Sequence, residues 1–307
     1  MSMPLPFISI VIPTYNRPER LKNCLAAIAQ LDYPRDRFEV IIVDDGSEVP
    51  LDDVVADYQN TLNLLLIRQA NAGPASARNR GAAQAKGEYL VFTDDDCMPH
   101  ADWLTKLANR FAIAPDALVG GYTINALPDN LCSTASQVLI DYLYHYYNQT
   151  SQQPSFFASN NFAMPTSKFR ALQGFDVTFP LAAGEDREFC DRWLYHHNPM
   201  LYAPDVQIQH AHQLSLRTFW RQHFNYGRGA YYFHQIRSKR NQAQIKVEPF
   251  SFYFNLLTYP LRHPSTHSSM LLAGLLFLSQ VANVAGFFWE RSQHQPGQLN
   301  ETSPSVH

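Results

Sequence analysis

Two short apolar runs in this chain end abruptly in carboxylates, and that pairing limits its possible fold more than any other feature. Val40-Ile41-Ile42-Val43 runs into Asp44-Asp45-Gly46-Ser47, and Tyr89-Leu90-Val91-Phe92 runs through Thr93 into Asp94-Asp95-Asp96. Short apolar runs bounded by turn residues read as buried strands. In an open α/β sheet, ligands bind beyond the carboxyl ends of the strands, where both clusters fall. A third acidic pair, Glu185-Asp186, follows Gly184. Carboxylates this dense repel one another unless a cation or a cationic substrate sits between them. A divalent metal ion and a phosphorylated substrate are the economical explanation.

Around these runs the chain alternates. Ile8 to Ile12 reads as the first strand and Pro13-Thr14-Tyr15-Asn16 as the loop after it. Asn16 is expected to cap a helix with Pro18 and Glu19 in its first turn, and Leu21, Leu25, Ile28 and Leu31 then recur at helical spacing. A third strand is expected over Leu62 to Ile67 and an alanine-rich helix from about Pro74 to Lys86. This β-α-β-α-β order predicts an α/β fold with a doubly wound, mostly parallel sheet flanked by helices. From Cys132 onward the alternation fades. Ser133 to Tyr147 reads as an amphipathic helix, Phe156 to Met164 as extended, Gly184 to His197 as a helix and Leu201 to His210 as a strand. No linker-like segment separates the halves, so the break near residue 130 divides functions rather than domains.

Composition removes several classes of protein. The 307 residues suffice for one large domain or two small ones, and a net charge of -3 gives no overall attraction to nucleic acid. Cys24, Cys97, Cys132 and Cys190 lie far apart without a CxxC pair, as expected of reduced thiols in a cytosolic compartment. The N-terminus passes straight into a strand without a signal-peptide pattern. Between Asp205 and Glu248 there is no acidic residue, while basic residues such as Arg217, Arg221, Arg228 and Arg237 are interleaved with aromatic ones. That stretch fits an anionic membrane surface, a diphosphate-binding lid or a solvated basic face. Ser268 to Trp289 carries no charge and is about long enough to cross a bilayer, although Ser279, Gln280 and Asn283 weaken it. Spanning, interfacial and buried placements all remain open for this helix. Residues 236–291 therefore read as a basic, aromatic and apolar membrane-associating helical region, and 292–307 as a disordered tail.

The chain has no GxxxxGK[ST] loop, no GxGxxG after the first strand and no GxSxG elbow. Asp94 and Asp96, spaced i, i+2 on a tight turn, can send both carboxylates toward one hard cation. Mg²⁺ or Mn²⁺ held there would bridge two phosphates and stabilise a nucleoside diphosphate as a leaving group. The plainer alternative is a solvated acidic turn. Asp186 is available as a general base for an acceptor hydroxyl, or simply favours a helix N-terminus. His210 and His212 share one strand face, where either could complete a metal's coordination or serve as a polar contact.

Together and in this order, the motifs resemble the family 2 glycosyltransferases of the GT-A fold. The matching residues are Pro13-Thr14-Tyr15-Asn16-Arg17, Val43-Asp44-Asp45-Gly46-Ser47, Asn71, Gly73, Ala77-Arg78-Asn79, Gly81, Asp94-Asp95-Asp96, Gly174-Phe175-Asp176 and Gly184-Glu185-Asp186. The resemblance covers roughly residues 7 to 235. It implies a transferase domain over 1–235, with a nucleotide-sugar-binding half (1–130) and an acceptor and catalytic-base half (131–235). Pro13, Thr14, Tyr15, Asp44 and Asp45 would hold the nucleotide, with Arg78, Asp94 and Asp95 beside it. Asp94 and Asp96 match the DxD metal positions, Asp96 as the direct ligand of Mg²⁺ or Mn²⁺. His210 or His212 matches a histidine that contacts metal or phosphate in some relatives, His210 being named as the metal contact. Asp186 matches the catalytic base, and Glu185, Trp220, Arg221 and Arg228 fall in the acceptor region. The QxxRW motif of processive members is absent, which argues against a polysaccharide synthase.

The implied reaction is inverting transfer from a nucleotide-diphosphate sugar to an acceptor hydroxyl on a glycan or lipid-linked precursor. Its expected location is the cytoplasmic face of a membrane, reached through the helix around 269–289. One alternative is a non-catalytic, membrane-anchored binding or scaffold protein on the same fold. Another is a Mg²⁺-dependent phosphatase or nucleotidyltransferase, which would want an aspartate nucleophile or a glycine-rich loop where this chain has Pro13-Thr14.

Overall fold

The computed structural model describes residues 5–149, 153–179, 183–241, 248–263 and 265–294. Its strands are β1 (Ile8–Thr14), β2 (Phe38–Asp44), β3 (Leu64–Arg68), β4 (Tyr89–Phe92), β5 (Cys97–Pro99), β6 (Leu118–Asn125), β7 (Phe162–Pro165) and β8 (Met200–His210). They form one mixed sheet in the order β3-β2-β1-β4-β7-β6-β8-β5. β1 pairs in parallel with β2 and β4, and β2 with β3. The expected parallel sheet is this first half. It turns mixed where β7 enters antiparallel to both β4 and β6.

Both faces of the parallel half are covered, which explains its unbroken apolar runs. Ile8, Ile10, Ile12, Val40, Ile42 and Val91 pack on one face with α1 (Pro18–Ile28) and α4 (Trp103–Ile113). Val11, Ile41, Val43, Leu90 and Phe92 pack on the other with α3 (Pro74–Gln84) and α7 (Glu185–Tyr195). Burying each such side chain contributes about 1.5–3 kcal/mol. With both faces apolar, hydrophobicity alone does not fix the strand register. A buried polar clamp does so: the Ser9 hydroxyl donates to Glu39 Oε1 at 2.7 Å, directly across the β1–β2 ladder.

Asn16 does not cap α1. Its backbone is left-handed (φ 54°), its N–H donates to Ser47 Oγ, and its Oδ1 accepts the Glu48 N–H. It ties the first loop to the turn after β2 instead. The helix expected from Ser133 begins slightly earlier as α5 (Leu131–Tyr144), capped by Asn130 Oδ1 accepting from the Ser133 N–H at 2.9 Å. It continues in a π turn over His145–Gln149. β5, β6, α4 and the short α6 (Thr166–Ala171) have no counterpart among the sequence expectations. Pairing from β4 through β7 to β6 carries the sheet across residue 130.

Beyond the sheet, α8 (Leu216–Asn241) runs straight through position 235, the expected edge of the transferase domain. Against α8 and α9 (Phe250–Arg262) packs α10 (Ser269–Gln293), long and apolar enough to cross a membrane by length and composition. The α8–α10 crossing is glycine-close. A Cβ at Gly227 would stand 1.8 Å from the Asn283 carbonyl oxygen, and one at Gly286 would stand 1.9 Å from that of Phe224. Nearby, Arg228 donates to the buried carboxylate of Glu290, which also accepts the Tyr232 hydroxyl at 2.6 Å. The tail expected from 292 begins inside α10, and its remainder from 295 lies outside the described residues.

Since no side chain fits at that crossing, Gly227→Leu should cost roughly 1–3 kcal/mol through forced separation of α8 and α10. Urea unfolding of the full chain, with limited proteolysis at α10, tests this. An unchanged midpoint and digestion pattern would contradict the packing described.

Candidate active site

The carboxyl ends of β1, β2 and β4 open onto a cleft of about 1300 Å³. The turn after β2 shapes its first wall. Asp44 Oδ1 accepts the Ser47 N–H at 2.9 Å, closing the turn, and Asp44 is not among the cleft-lining residues. Asp45 lines the cleft but already holds backbone. Its Oδ1 accepts from Gln69 Nε2 (2.7 Å) and the Ala72 N–H (2.9 Å), and its Oδ2 from the Gly73 N–H (2.8 Å). Gly46 permits this approach: its φ is +88°, and a Cβ there would stand 2.8 Å from the Asn71 nitrogen. With the loop drawn in, α3 starts at Pro74 and Arg78 falls on the cleft one turn later.

The three aspartates after β4 take separate partners. Asp94 Oδ1 accepts from Arg78 Nη2 at 2.7 Å. Asp95 accepts from the Thr14 hydroxyl at 2.8 Å and from Arg17 at 3.3 Å. Asp96 Oδ2 accepts from Arg20 at 2.8 Å, and its Oδ1 lies 3.2 Å from His210 Nε2. Burial, with the neighbouring aspartates, carries the Asp95 carboxyl up to about 6 against the charge of Arg17. Burial also pushes Asp96 upward, but the hydrogen bond and charge of His210 outweigh it and hold that carboxyl below its ordinary range. Asp96, His210 and the buried Cys97 offer ligand atoms within 4.8 Å of one another. Burial and the aspartate charges raise the Cys97 thiol well above its ordinary value, and a hard cation such as Mg²⁺ prefers the carboxylate oxygen. Asp94 is engaged by Arg78 and is not in that cluster.

Across the cleft, Gly184 adopts a left-handed backbone (φ 94°) and starts α7 with Glu185 and Asp186 in its first turn. Glu185 Oε1 accepts from Arg78 Nη1 at 3.2 Å, while its buried Oε2 has no partner. Burial and the adjacent Asp186 raise the Glu185 carboxyl to about 7, against Arg78. Burial likewise raises Asp186, whose Oδ1 accepts the Arg187 N–H at 2.7 Å.

The fold thus brings together Pro13, Thr14, Tyr15, Asp45, Arg78, Asp94, Asp95, Asp96, Glu185, Asp186, His210 and Arg221 on one cleft. It leaves out Trp220 and Arg228, two of the residues expected in the acceptor region. Arg228 faces α10, paired with Glu290 and 4.5 Å from the Trp289 ring centroid. Sequence reasoning gave no role to Arg17 and Arg20, although Arg17 is the N-cap of α1 and Arg20 lies in its first turn, beside the aspartates. Asn160, His223 and Tyr226 also line the cleft, and no motif announced them.

The raised Glu185 carboxyl has a measurable consequence. Between about 4.5 and about 7 the native state holds a proton that the unfolded chain has released, so this group's contribution to stability falls as pH rises through that window. Glu185→Gln should remove a slope of up to about 1.4 kcal/mol per pH unit. Denaturant unfolding from pH 5 to pH 8 checks it, and parallel profiles for the two proteins would refute the assignment.

Comparison with known proteins agrees with this geometry. Residues 9–172 match the family model described as glycosyl transferase family 2. Glycosyltransferase AglE of Haloferax volcanii is 36% identical over 123 residues, covering 39% of this chain and 40% of AglE. The pre-mycofactocin glycosyltransferase of Mycobacterium tuberculosis is 27% identical over 229 residues, covering 73% of this chain and 46% of that protein. The chain therefore aligns with under half the length of either relative. Among solved structures, the mannosyltransferase PcManGT of Pyrobaculum calidifontis, in complex with GDP-Man and Mn²⁺, superposes with a TM-score of 0.62 at 19% identity, covering 92% of this chain and 88% of that one. Residues 1–349 of TarS from S. aureus superpose with a TM-score of 0.53 at 19% identity, covering 97% of this chain and 98% of that one. The structural likenesses establish a GT-A-like fold. With more than half of its length matched by the family model, the chain belongs to glycosyl transferase family 2.

Proposed function

We propose that this protein transfers a sugar from a nucleoside-diphosphate sugar to an acceptor hydroxyl with inversion, Asp186 acting as general base. The carrying observation is Arg78, which holds Asp94 and Glu185 on one guanidinium and so sets the acidic turn after β4 beside Asp186. PcManGT bound to GDP-Man and Mn²⁺, and TarS bound to UDP-GlcNAc, support a nucleotide-sugar donor.

Asp96 and His210 fit a divalent cation such as Mg²⁺ or Mn²⁺, since one hard oxygen and one imidazole nitrogen leave positions for phosphate oxygens and water. Such an ion supplies charge neutralisation to a departing diphosphate. Arg17 and Arg20 add positive charge on the same side, and Thr14 and Arg17 orient Asp95. At the opposite side, an acceptor hydroxyl gives its proton to a carboxylate oxygen of Asp186. Its oxygen bonds to the anomeric carbon as the bond from that carbon to the diphosphate oxygen breaks. Burial raises Asp186 above an ordinary aspartate, which strengthens it as a base near neutral pH.

The membrane reading also belongs to this proposal. α10 is two-faced: Leu272, Leu276, Ser279, Gly286 and Glu290 are buried against the protein, while Met270, Leu271, Phe277 and Val281 are exposed and lie away from the cleft. A helix surrounded by lipid would not keep one side for a serine, a glycine and an ion-paired glutamate. Together with exposed Phe250 and Phe254 of α9, the outer face suits the plane of a membrane interface better than a span.

Asp186→Asn should lower transfer by about 10²–10⁴-fold while donor binding persists, and Asp96→Ala should abolish Mn²⁺-dependent stabilisation by UDP- or GDP-sugars. Turnover assays and thermal shifts separate the two effects. Full transfer by Asp186→Asn would remove the base assignment, and no stabilisation of the wild type by any donor would favour the scaffold reading. In flotation with phosphatidylcholine–phosphatidylglycerol vesicles, the wild type should rise with the lipid and Leu271→Asp/Phe277→Asp should not. Equal flotation of both proteins would place the membrane contact elsewhere.

A further inference from the structure

The cleft has two ends of different chemistry. Arg17, Arg20, Arg78 and the acidic clusters make one end ionic. Apart from Arg221, the side chains that α8 and α10 turn into the cleft carry no charge, among them Gln222, His223, Tyr226, Gln280 and Asn283. Burial and the charge of His212 push His223 down to about 4, so its ring is neutral at physiological pH.

Several polar atoms on this wall lack partners. His223 is 1% exposed, and its Nε2 has no hydrogen bond. Gln222 donates through Nε2 to the Tyr226 hydroxyl at 2.8 Å, but its Oε1 accepts from nothing, and neither does Asn160 Oδ1 from across the cleft. Carbonyl oxygens of this kind require a donor, which a phosphodiester does not supply and a sugar hydroxyl does. Beside them the Tyr226 ring is 37% exposed although it lines the cleft, leaving an aromatic surface open to a ligand.

We infer that this wall is the acceptor subsite and that it takes an uncharged sugar ring. Gln222, His223 and Asn160 exchange hydrogen bonds with its hydroxyls, and Tyr226 packs against its apolar side. The inference rests on the transferase reading above and names the acceptor's class. It also moves acceptor recognition from the Trp220–Arg228 side of α8 to the side facing Asp186. Gly229, three residues along α8 from Tyr226, lies against Ala183 and Gly184 at the start of α7, which places that side near the base.

Saturation-transfer NMR on the full chain with Mn²⁺ and UDP or GDP tests it, using the methyl glycosides of glucose, galactose, mannose and N-acetylglucosamine as probes. At least one glycoside should bind the wild type, and Gln222→Leu and His223→Phe should each weaken it at least tenfold. Nucleotide binding, read by thermal shift in the same samples, should not change. Tyr226→Ala gives the same reading if one of those variants does not fold. No glycoside binding to the wild type, or undiminished binding to the variants, overturns the subsite. Displacement of the glycoside by millimolar inorganic phosphate overturns the uncharged class. Glycoside binding without any nucleotide response would instead count against the transferase reading and leave the subsite standing.

Discussion

The buried guanidinium of Arg78 is the contact on which the rest of the site depends. It joins Asp94, 16 residues away, to Glu185, 107 residues away, while lying 5.8 Å from the Phe175 ring centroid. A buried cation must be paired, and two carboxylates brought this close need one. Each partner therefore fixes the others, and the turn after β4 faces the start of α7 at hydrogen-bonding distance from one side chain. Arginine suits the position because its planar fork serves two carboxylates at once, which a lysine ammonium does less well. The position of Arg78 depends in turn on Asp45, which holds the 69–73 loop against β2 and so sets where α3 begins. Part of the expected nucleotide-binding acidic pair is thus engaged in placing the arginine.

A second constraint acts at the far end of the cleft. α8 contributes its inner face to the cleft and its outer face to α10, and the glycine-close crossing at Gly227 and Gly286 leaves little freedom in rotation between them. α10 itself reaches the cleft through Gln280 and Asn283. The apolar C-terminal segment is therefore a wall of the site and, under the proposed reading, also a surface for lipid. Under the proposed reading, an acceptor presented at a membrane would meet the cleft beside the helix that rests on that membrane.

Legibility in the sequence follows burial. β1, β2 and β4 are covered on both faces, so they appear as continuous apolar runs and were found within a residue or two. β6 carries Gly120 and Gly121, and a Cβ at these positions would stand 2.1 Å from the Phe157 ring and 2.3 Å from the Val206 carbonyl oxygen. Glycine is there for the neighbours, so β6 lacks a continuous apolar run and no expectation covers it. Asn16 looks like a cap for the same reason: its preference for a left-handed backbone serves a loop contact that lies 31 residues away. The basic, aromatic stretch marks out α8, but residue types do not say which side of a helix faces the cleft. Trp220 and Arg228 were chosen where Gln222, His223 and Tyr226 line it.

The sequence by itself determined the order of elements through β4, the placement of acidic clusters at strand ends, and membership in the transferase family. These are local or periodic properties, carried by residue type and spacing. Tertiary structure alone decided which carboxylate meets which cation, that Asp44 closes a turn while Asp45 lines the cleft, and which face of α8 and α10 is inward. Those outcomes depend on contacts between segments tens to a hundred residues apart. Burial makes each unpaired charge and each extra methyl group costly enough to exclude the alternatives.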